Sequence, residues 1–226
     1  MQRYLRTLPN RSREYPILVY WGLSVGLWII AVATGVIVFL NAGHLELWKV
    51  ALYGALLGAY LMAEKKAYRL SPQAGQRVQE PLRYMLAVAW WTVIFGSVLG
   101  YALWPISQES ITAAGSLLMI LGSGLRVWSV HTLGRYYSGH IETWTGQTVV
   151  QTGPYRVLRH PGYAGSMLQI IGLPLVLNAY GILLLSMTVA GLFIFRLLKE
   201  EAWLLENLPG YEAYRQRTWR LIPGVW

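Results

Sequence analysis

Cysteine and aspartate are both missing from the 226 residues, and charged residues of every kind make up only 13%. Without cysteine there is no disulfide framework, no thiolate nucleophile and no thiolate metal site. The charged share is about half the usual quarter of a soluble domain. A soluble globule of this length needs far more charge on its surface. All ten acids are glutamate. The four histidines, His44, His131, His140 and His160, show no H-x-x-x-H spacing, so no metal site is expected. Neither a P-loop nor a G-x-G-x-x-G is present, which removes support for the soluble nucleotide-binding folds. These absences exclude an ordinary soluble globule and a disulfide scaffold.

What is present is apolar. Hydrophobic residues reach 55%, with 11 Trp and 15 Tyr, and the mean hydropathy is +0.39. That excludes a disordered chain and predicts an all-α fold, a polytopic helical membrane protein. Ile17 to Leu40 holds 24 residues without a charge, enough to cross about 30 Å of hydrocarbon. It is longer than a typical signal-peptide core and no A-x-A-like site follows it, so it reads as a span. Leu45 to Ala63, Leu82 to Trp104 and Ile111 to Leu133 follow. Tyr163 to Leu177 and Tyr180 to Leu198 are parted only by Asn178 and Ala179, which predicts a tight helical hairpin. The first of that pair is short and contains Pro174, so the count is five spans plus a half-span, or six. Residues 1–133 are expected to hold about four spans, and 134–226 a connector, the hairpin and a tail.

Net charge is +9, and its distribution decides between nucleic acid and membrane as partner. With the N-terminus inside, segments 1–16, 64–82, 134–162 and the tail, with the span ends abutting them, hold every Lys and Arg except Lys49. The outside turns 41–44, 105–110 and 178–179 hold none. This sorting follows the positive-inside rule. It implies a lipid bilayer partner, no nucleic acid, and cytoplasmic N- and C-termini. Tyr20, Trp21, Trp48, Trp104 and Trp128 sit near span ends, as an aromatic belt or as plain core. Arg126 lies inside the fourth span; snorkelling to the inner face is the ordinary fate of such a residue, a site facing the connector the alternative.

Two segments are dense in chemistry. In the first, Gly153-Pro154 forces a turn. Tyr155, Arg159, His160 and Tyr163 then crowd within nine residues, and Pro161 can open a helix. They fit either an interfacial anchor or an acceptor-rich ligand at a helix start. In the second, Arg196 and Glu200 are four apart on one helix face, with Glu201 turned 100° away. An ion pair or a ligand role fits a carboxylate at that depth.

Together these segments resemble the membrane methyltransferase superfamily that includes isoprenylcysteine carboxyl methyltransferase and phospholipid N-methyltransferases. The resemblance rests on Thr152-Gly153-Pro154-Tyr155, Arg159-His160-Pro161-Gly162-Tyr163-Ala164-Gly165, the hairpin, Arg196 with Glu200-Glu201, Tyr211 and Tyr214, and Ile222-Pro223. It covers the chain from about Leu133 onward. It implies a cytoplasmic S-adenosyl-L-methionine pocket built from the connector, the R-H-P-x-Y turn and the last helix. Cofactor contacts would fall on Gln147, Thr148, Val149, Val150, Tyr155, His160, Pro161, Gly162, Tyr163 and Glu200, with His140 a further candidate. Gln147 stands where the family often has His, and it cannot be charged. Arg196 resembles the family's substrate-contacting Arg. A carboxylate acceptor needs no general base; an amine acceptor does, and Glu201 or His160 would supply it.

The implied activity is methyl transfer to a lipophilic, membrane-borne acceptor, a prenylcysteine-like carboxylate or a lipid amine. A similar C-terminal pattern, R-H-P-N-Y-x-G followed by an acid, belongs to NADPH-dependent sterol reductases. Here Gly162 replaces that Asn and Ser166 the acid, which favours methyl transfer. A non-catalytic accessory membrane protein is the third reading.

Overall fold

The computed structural model describes residues 33–68, 76–77 and 82–226. The first expected span therefore lies mostly outside the described residues, as do Arg3, Arg6, Arg11, Arg13, Tyr20 and Trp21. Its last part, 33–40, is helical and is called α1. Then follow α2 (Leu47–Tyr68), α3 (Leu82–Leu103), α4 (Glu109–Leu133), α5 (Pro161–Val176), α6 (Tyr180–Asn207) and α7 (Tyr211–Arg215). Two short strands, β1 (Gln76–Arg77) and β2 (Glu142–Thr143), pair antiparallel and tie the α2–α3 connection to the α4–α5 connector.

Among the described residues, three helices are long and apolar enough to cross a membrane: α3, α4 with its 3₁₀ extension to Tyr136, and α6. α2 is as long as α3 but carries Lys49 near one end and Glu64, Lys65 and Lys66 near the other. Large apolar side chains on the long helices face outward, among them Leu117, Ile120, Leu184 and Met187, as a lipid-facing surface requires. Thr92, Ser97, Ser116, Ser129 and Thr188 each donate to the carbonyl four residues back, so their hydroxyls are satisfied within their own helices.

α5 is the short element, 16 residues or about 24 Å long. It lies at the centre of the bundle. It contacts α2, α3, α4 and α6. Ser166, Gln169, Ile170, Leu173 and Val176 are all buried. Its closest approach is to α4, through two glycine pairs spaced two turns apart. A Cβ on Gly122 would stand 2.6 Å from the Gly165 carbonyl, and one on Gly165 2.7 Å from the Gly122 carbonyl. Gly115 and Gly172 repeat the arrangement, with Gly115 2.5 Å from the Val176 amide by the same measure. Small residues let helix backbones meet where apolar burial supplies no drive between helices.

The hairpin between α5 and α6 forms as expected. Asn178 turns the chain at φ +54°, a conformation Asn tolerates better than most residues. Its side chain receives the Gln108 amide at 2.6 Å and donates to Leu175 O and Thr112 Oγ1. Nearby, Lys49 is fully buried, paired with Glu46 at 2.7 Å and donating to Ser107 at 2.8 Å. The single basic residue that breaks the charge sorting is therefore neutralised in place. Glu46 also receives Ser107 Oγ, and its amide donates to Tyr101. Each helix from α2 to α6 sends one end to this polar belt and the other to the cavity described below, so neighbours along the chain run in opposite directions.

Gly165→Leu should lower the unfolding temperature in detergent by the equivalent of at least about 1–3 kcal/mol, because the backbone it meets cannot yield. Gly124→Ala, which meets nothing within 4 Å, should leave the melting curve within about 0.5 kcal/mol of the parent.

Candidate active site

The ends of α2, α3, α4 and α6, the start of α5 and the connector enclose a cavity of about 570 Å³. The connector enters it from a tight turn. Gly146 takes φ +74°, the Gln147 amide donates to Trp144 O, and the Gln147 side-chain oxygen receives the Trp144 amide. Residues 147–151 then run in neither helix nor sheet. Gly153 closes the stretch at φ +54°, where any side chain would meet Thr132.

Next comes the R-H-P-G-Y turn. Pro161 is the first residue of α5, where its missing N–H costs nothing. The turn is held from behind by the tail. Arg159 N donates to Trp219 O at 2.7 Å and His160 N to Arg220 O at 3.2 Å. The Arg159 guanidinium also reaches the carbonyls of Arg215 and Thr218. Tyr214 donates its hydroxyl to Tyr155 O at 2.8 Å. Glu201, nearly without exposure, receives Arg159 Nε at 2.7 Å and Arg220 Nε at 2.8 Å, with His160 Nε2 at 3.3 Å.

On the cavity side the same turn presents Tyr163. Its hydroxyl donates to Glu200 Oε2 at 2.5 Å and receives Arg196 Nη1 at 2.5 Å. The ring lies 5.6 Å from His160 and 6.0 Å from Phe193, edge-on to both. Arg196 also donates to Gly139 O and stacks over the Tyr163 face. The i, i+4 pair of Arg196 and Glu200 is thus joined through Tyr163. His140 receives Arg83 Nη1, at 2.6 Å on the Nε2 side. Burial, then the nearby Glu200 charge, pushes the Tyr155 hydroxyl well above the usual tyrosine range. Burial, then Glu201, does the same to Tyr211. Both stay neutral donors.

Of the residues expected at the cofactor, His140, Gln147, Thr148, Val149, Val150, Tyr155, His160, Gly162, Tyr163 and Glu200 all line this one cavity, and so does Arg196. Pro161 does not; it shapes the helix start. Glu201, expected as a base, stands outside the wall. One residue further along α6 turns its side chain through 100°, toward the tail and its two guanidinium groups. Among the described residues no group of three His or Glu side chains is placed to hold a metal ion.

The structure also decides between the two readings of Arg126 and brings in residues the sequence did not single out. Arg126 lines the cavity rather than snorkelling away. It pairs with Glu64 of α2 and donates to Ser166 Oγ at 2.8 Å, Tyr137 OH at 3.0 Å and Tyr60 OH at 3.2 Å. Leu86 and Trp90 of α3, with Phe193 of α6, make the opposite, apolar wall. Glu64 and Trp90 sit on apolar helices with no motif around them; their only signal is an acid or a large aromatic near a helix end that nothing local requires.

The cavity therefore has a polar half on the R-H-P-G-Y turn and an aromatic half on α2 and α3. The polar half coincides with a family match. Residues 115–206 match the model of the isoprenylcysteine carboxyl methyltransferase family. The match begins at Gly115, the first of the α4 glycines, earlier than the motifs alone suggested. It leaves out α2, α3 and the tail that clamps the turn. The chain is 31% identical over 126 residues to the protein-S-isoprenylcysteine O-methyltransferase of Saccharomyces cerevisiae, covering 54% of this chain and 53% of that protein. It is 30% identical over 137 residues to the cobalt-zinc-cadmium resistance protein CzcN of Cupriavidus metallidurans, covering 60% and 62%. It is 33% identical over 89 residues to the uncharacterized protein YpbQ of Bacillus subtilis, covering 39% and 53%. The chain thus spans about half to three fifths of the length of these relatives.

Glu201→Gln should destabilise the protein by up to about 3–5 kcal/mol, because it strips two partly buried guanidinium groups of their buried counter-charge. Thermal unfolding in detergent reads this, with the exposed Glu206→Gln as a control expected to shift little.

Proposed function

We propose that this chain is an integral membrane methyltransferase that uses S-adenosyl-L-methionine and methylates the carboxylate of a lipophilic, prenylcysteine-like acceptor. The observation that carries this reading is the two-sided cavity. A charged and phenolic half on the family's turn faces an aromatic half in one enclosure, which suits a polar cofactor beside an apolar acceptor.

The residues present fit the cofactor. The connector residues 147–150 offer main-chain donors and acceptors for a nucleobase edge. Glu200 offers a carboxylate for ribose hydroxyls or an amino group, held in place by Tyr163. Tyr155 and Tyr211 offer neutral ring faces and hydroxyls. Once bound, the cofactor supplies an electrophilic methyl on a sulfonium, and its transfer to a carboxylate oxygen makes an ester and a neutral thioether with no proton to move. The protein's part is alignment and exclusion of water. Arg196, set on Tyr163, would hold the acceptor's anionic group. Glu201 acts through the turn it anchors and serves as a positioning residue rather than a base.

A carboxylate acceptor is favoured over an amine by the state of the basic groups. His140 is held by Arg83, His160 by Glu201, and Glu64 by Arg126. These three groups on the wall each already have a charged partner, and Glu200 receives the Tyr163 hydroxyl. We further read five to six spans with both termini cytoplasmic, the catalytic region being 134–226. The support is the sorting of basic residues, together with the Glu46–Lys49 pairing that cancels the exception.

Calorimetry on the detergent-purified chain tests the reading. S-adenosylhomocysteine should bind and NADPH should not; the reverse would favour a reductase, and binding of neither an accessory protein. Glu200→Gln should weaken S-adenosylhomocysteine on the order of tenfold or more, as expected for a lost charged hydrogen bond. Unchanged affinity would return Glu200 to a structural role. A reporter fused after Trp226 should read cytoplasmic; the far side would break the orientation.

A further inference from the structure

Glu64 is the one acid that α2 brings to the cavity, and it lies on the seam between the two halves. One turn before it, Tyr60 packs its ring 6.1 Å from Trp90, which meets Phe193 edge-on. Across from it, Arg126 donates onward to Gly162 O and Ser166 Oγ, at the start of α5. The pair is pinned. Arg126 engages Glu64 through Oε1 alone, by Nε at 2.8 Å and by Nη2, atoms that also reach the Tyr60 and Tyr137 hydroxyls, while Nη1 goes to Gly162 O and Ser166 Oγ. Oε2 has no hydrogen bond among the described residues, yet it is not sealed from the cavity. An aromatic wall on one side and an oriented, half-used carboxylate on the other make a site for an apolar ligand with one donor. A charged oxygen in such a setting is costly unless something donates to it.

We propose that Glu64 is a specificity-determining residue: its open oxygen accepts a hydrogen bond from an N–H that the lipophilic acceptor carries beside its reacting carboxylate. This rests on the methyl-transfer reading. The carboxylate is directed to Arg196, reached past Tyr163, the residue after Gly162. The N–H falls to Glu64, and the apolar chain lies along Tyr60, Trp90 and Phe193. An acceptor without the N–H fills the cavity and leaves Glu64 dry and unsatisfied. A second anion near the N–H position is repelled. The family match excludes α2 and α3, so this wall is where the chain sets its own acceptor preference.

The test compares two acceptors on the purified full chain with labelled S-adenosylmethionine. One is N-acetyl-S-farnesylcysteine; the other is 3-(farnesylthio)propionic acid, which keeps the chain and the carboxylate and lacks the nitrogen. The parent should favour the amide in kcat/KM on the order of 10–100-fold, as for a hydrogen bond to a charged group. Glu64→Gln should narrow that ratio, and Glu64→Ala should bring it within about threefold. The ratio is taken between the two acceptors within each variant, so it does not depend on the fraction of enzyme that the loss of Arg126's counter-charge leaves active, and S-adenosylhomocysteine binding is measured alongside to report that fraction. S-farnesylcysteine, with a free amine, separates the two kinds of N–H: turnover above that of the amide assigns the oxygen to an ammonium. Equal turnover of the two acceptors by the parent overturns the proposal and leaves methyl transfer standing. A preference that survives both Glu64 variants overturns it too. No transfer to any of the acceptors by the parent sinks the methyl-transfer reading and this proposal together.

Discussion

Glu201 is a carboxylate with almost no exposure, set between guanidinium groups that reach it from opposite directions along the chain. Arg159 comes from the connector just before α5, and Arg220 from the tail beyond α7. A buried anion is tolerable there only with the two partly buried cations that pair with it. The set therefore fixes three segments at once. Where it holds, His160 is drawn toward Glu201, Pro161 starts α5, and Tyr163 falls on the cavity side between Arg196 and Glu200. The tail strengthens the arrangement by main-chain bonds from Arg159 and His160 and by the Tyr214 hydroxyl. The adjacent pair Glu200-Glu201 thus divides its work, one acid facing the ligand space and the next anchoring the turn that shapes it.

The second constraint is close packing. α5 can be central only because Gly115, Gly122, Gly165 and Gly172 let it lie against α4. That contact also sets where Arg126 stands relative to Gly162, three residues before Gly165. The guanidinium then ties the family's turn to α2, an element outside the family match. Binding chemistry and acceptor wall are coupled through one ion pair at the level where α2 and α4 leave the apolar layer.

Much of this was legible in the sequence where the information is local. The hairpin was readable because Asn178 and Ala179 interrupt two apolar runs. The R-H-P-G-Y turn, Glu200 and Arg196 were readable because helical spacing and proline chemistry act within a few residues. What could not be read was long-range. Glu200 and Glu201 differ in the sequence by one step, and only the docked tail decides which one faces the cavity. For Arg126 the sequence left snorkelling and a site facing the connector both open, because nothing near it in the chain reveals Glu64, 62 residues earlier. Trp90 was one of many tryptophans, and its place on the wall follows from how α3 packs on α6. Gln147 shows a third case, a polar residue expected at a ligand whose side-chain oxygen closes its own turn.

The most direct measurement is the chemical nature of the transferred methyl. The purified chain is given labelled S-adenosylmethionine and a prenylated cysteine acceptor, and the product is treated with mild alkali. The account predicts that label moves to the acceptor and is released by alkali as volatile methanol, the mark of a carboxyl ester. Label that stays on the acceptor through alkali, or that never leaves the cofactor, would contradict it.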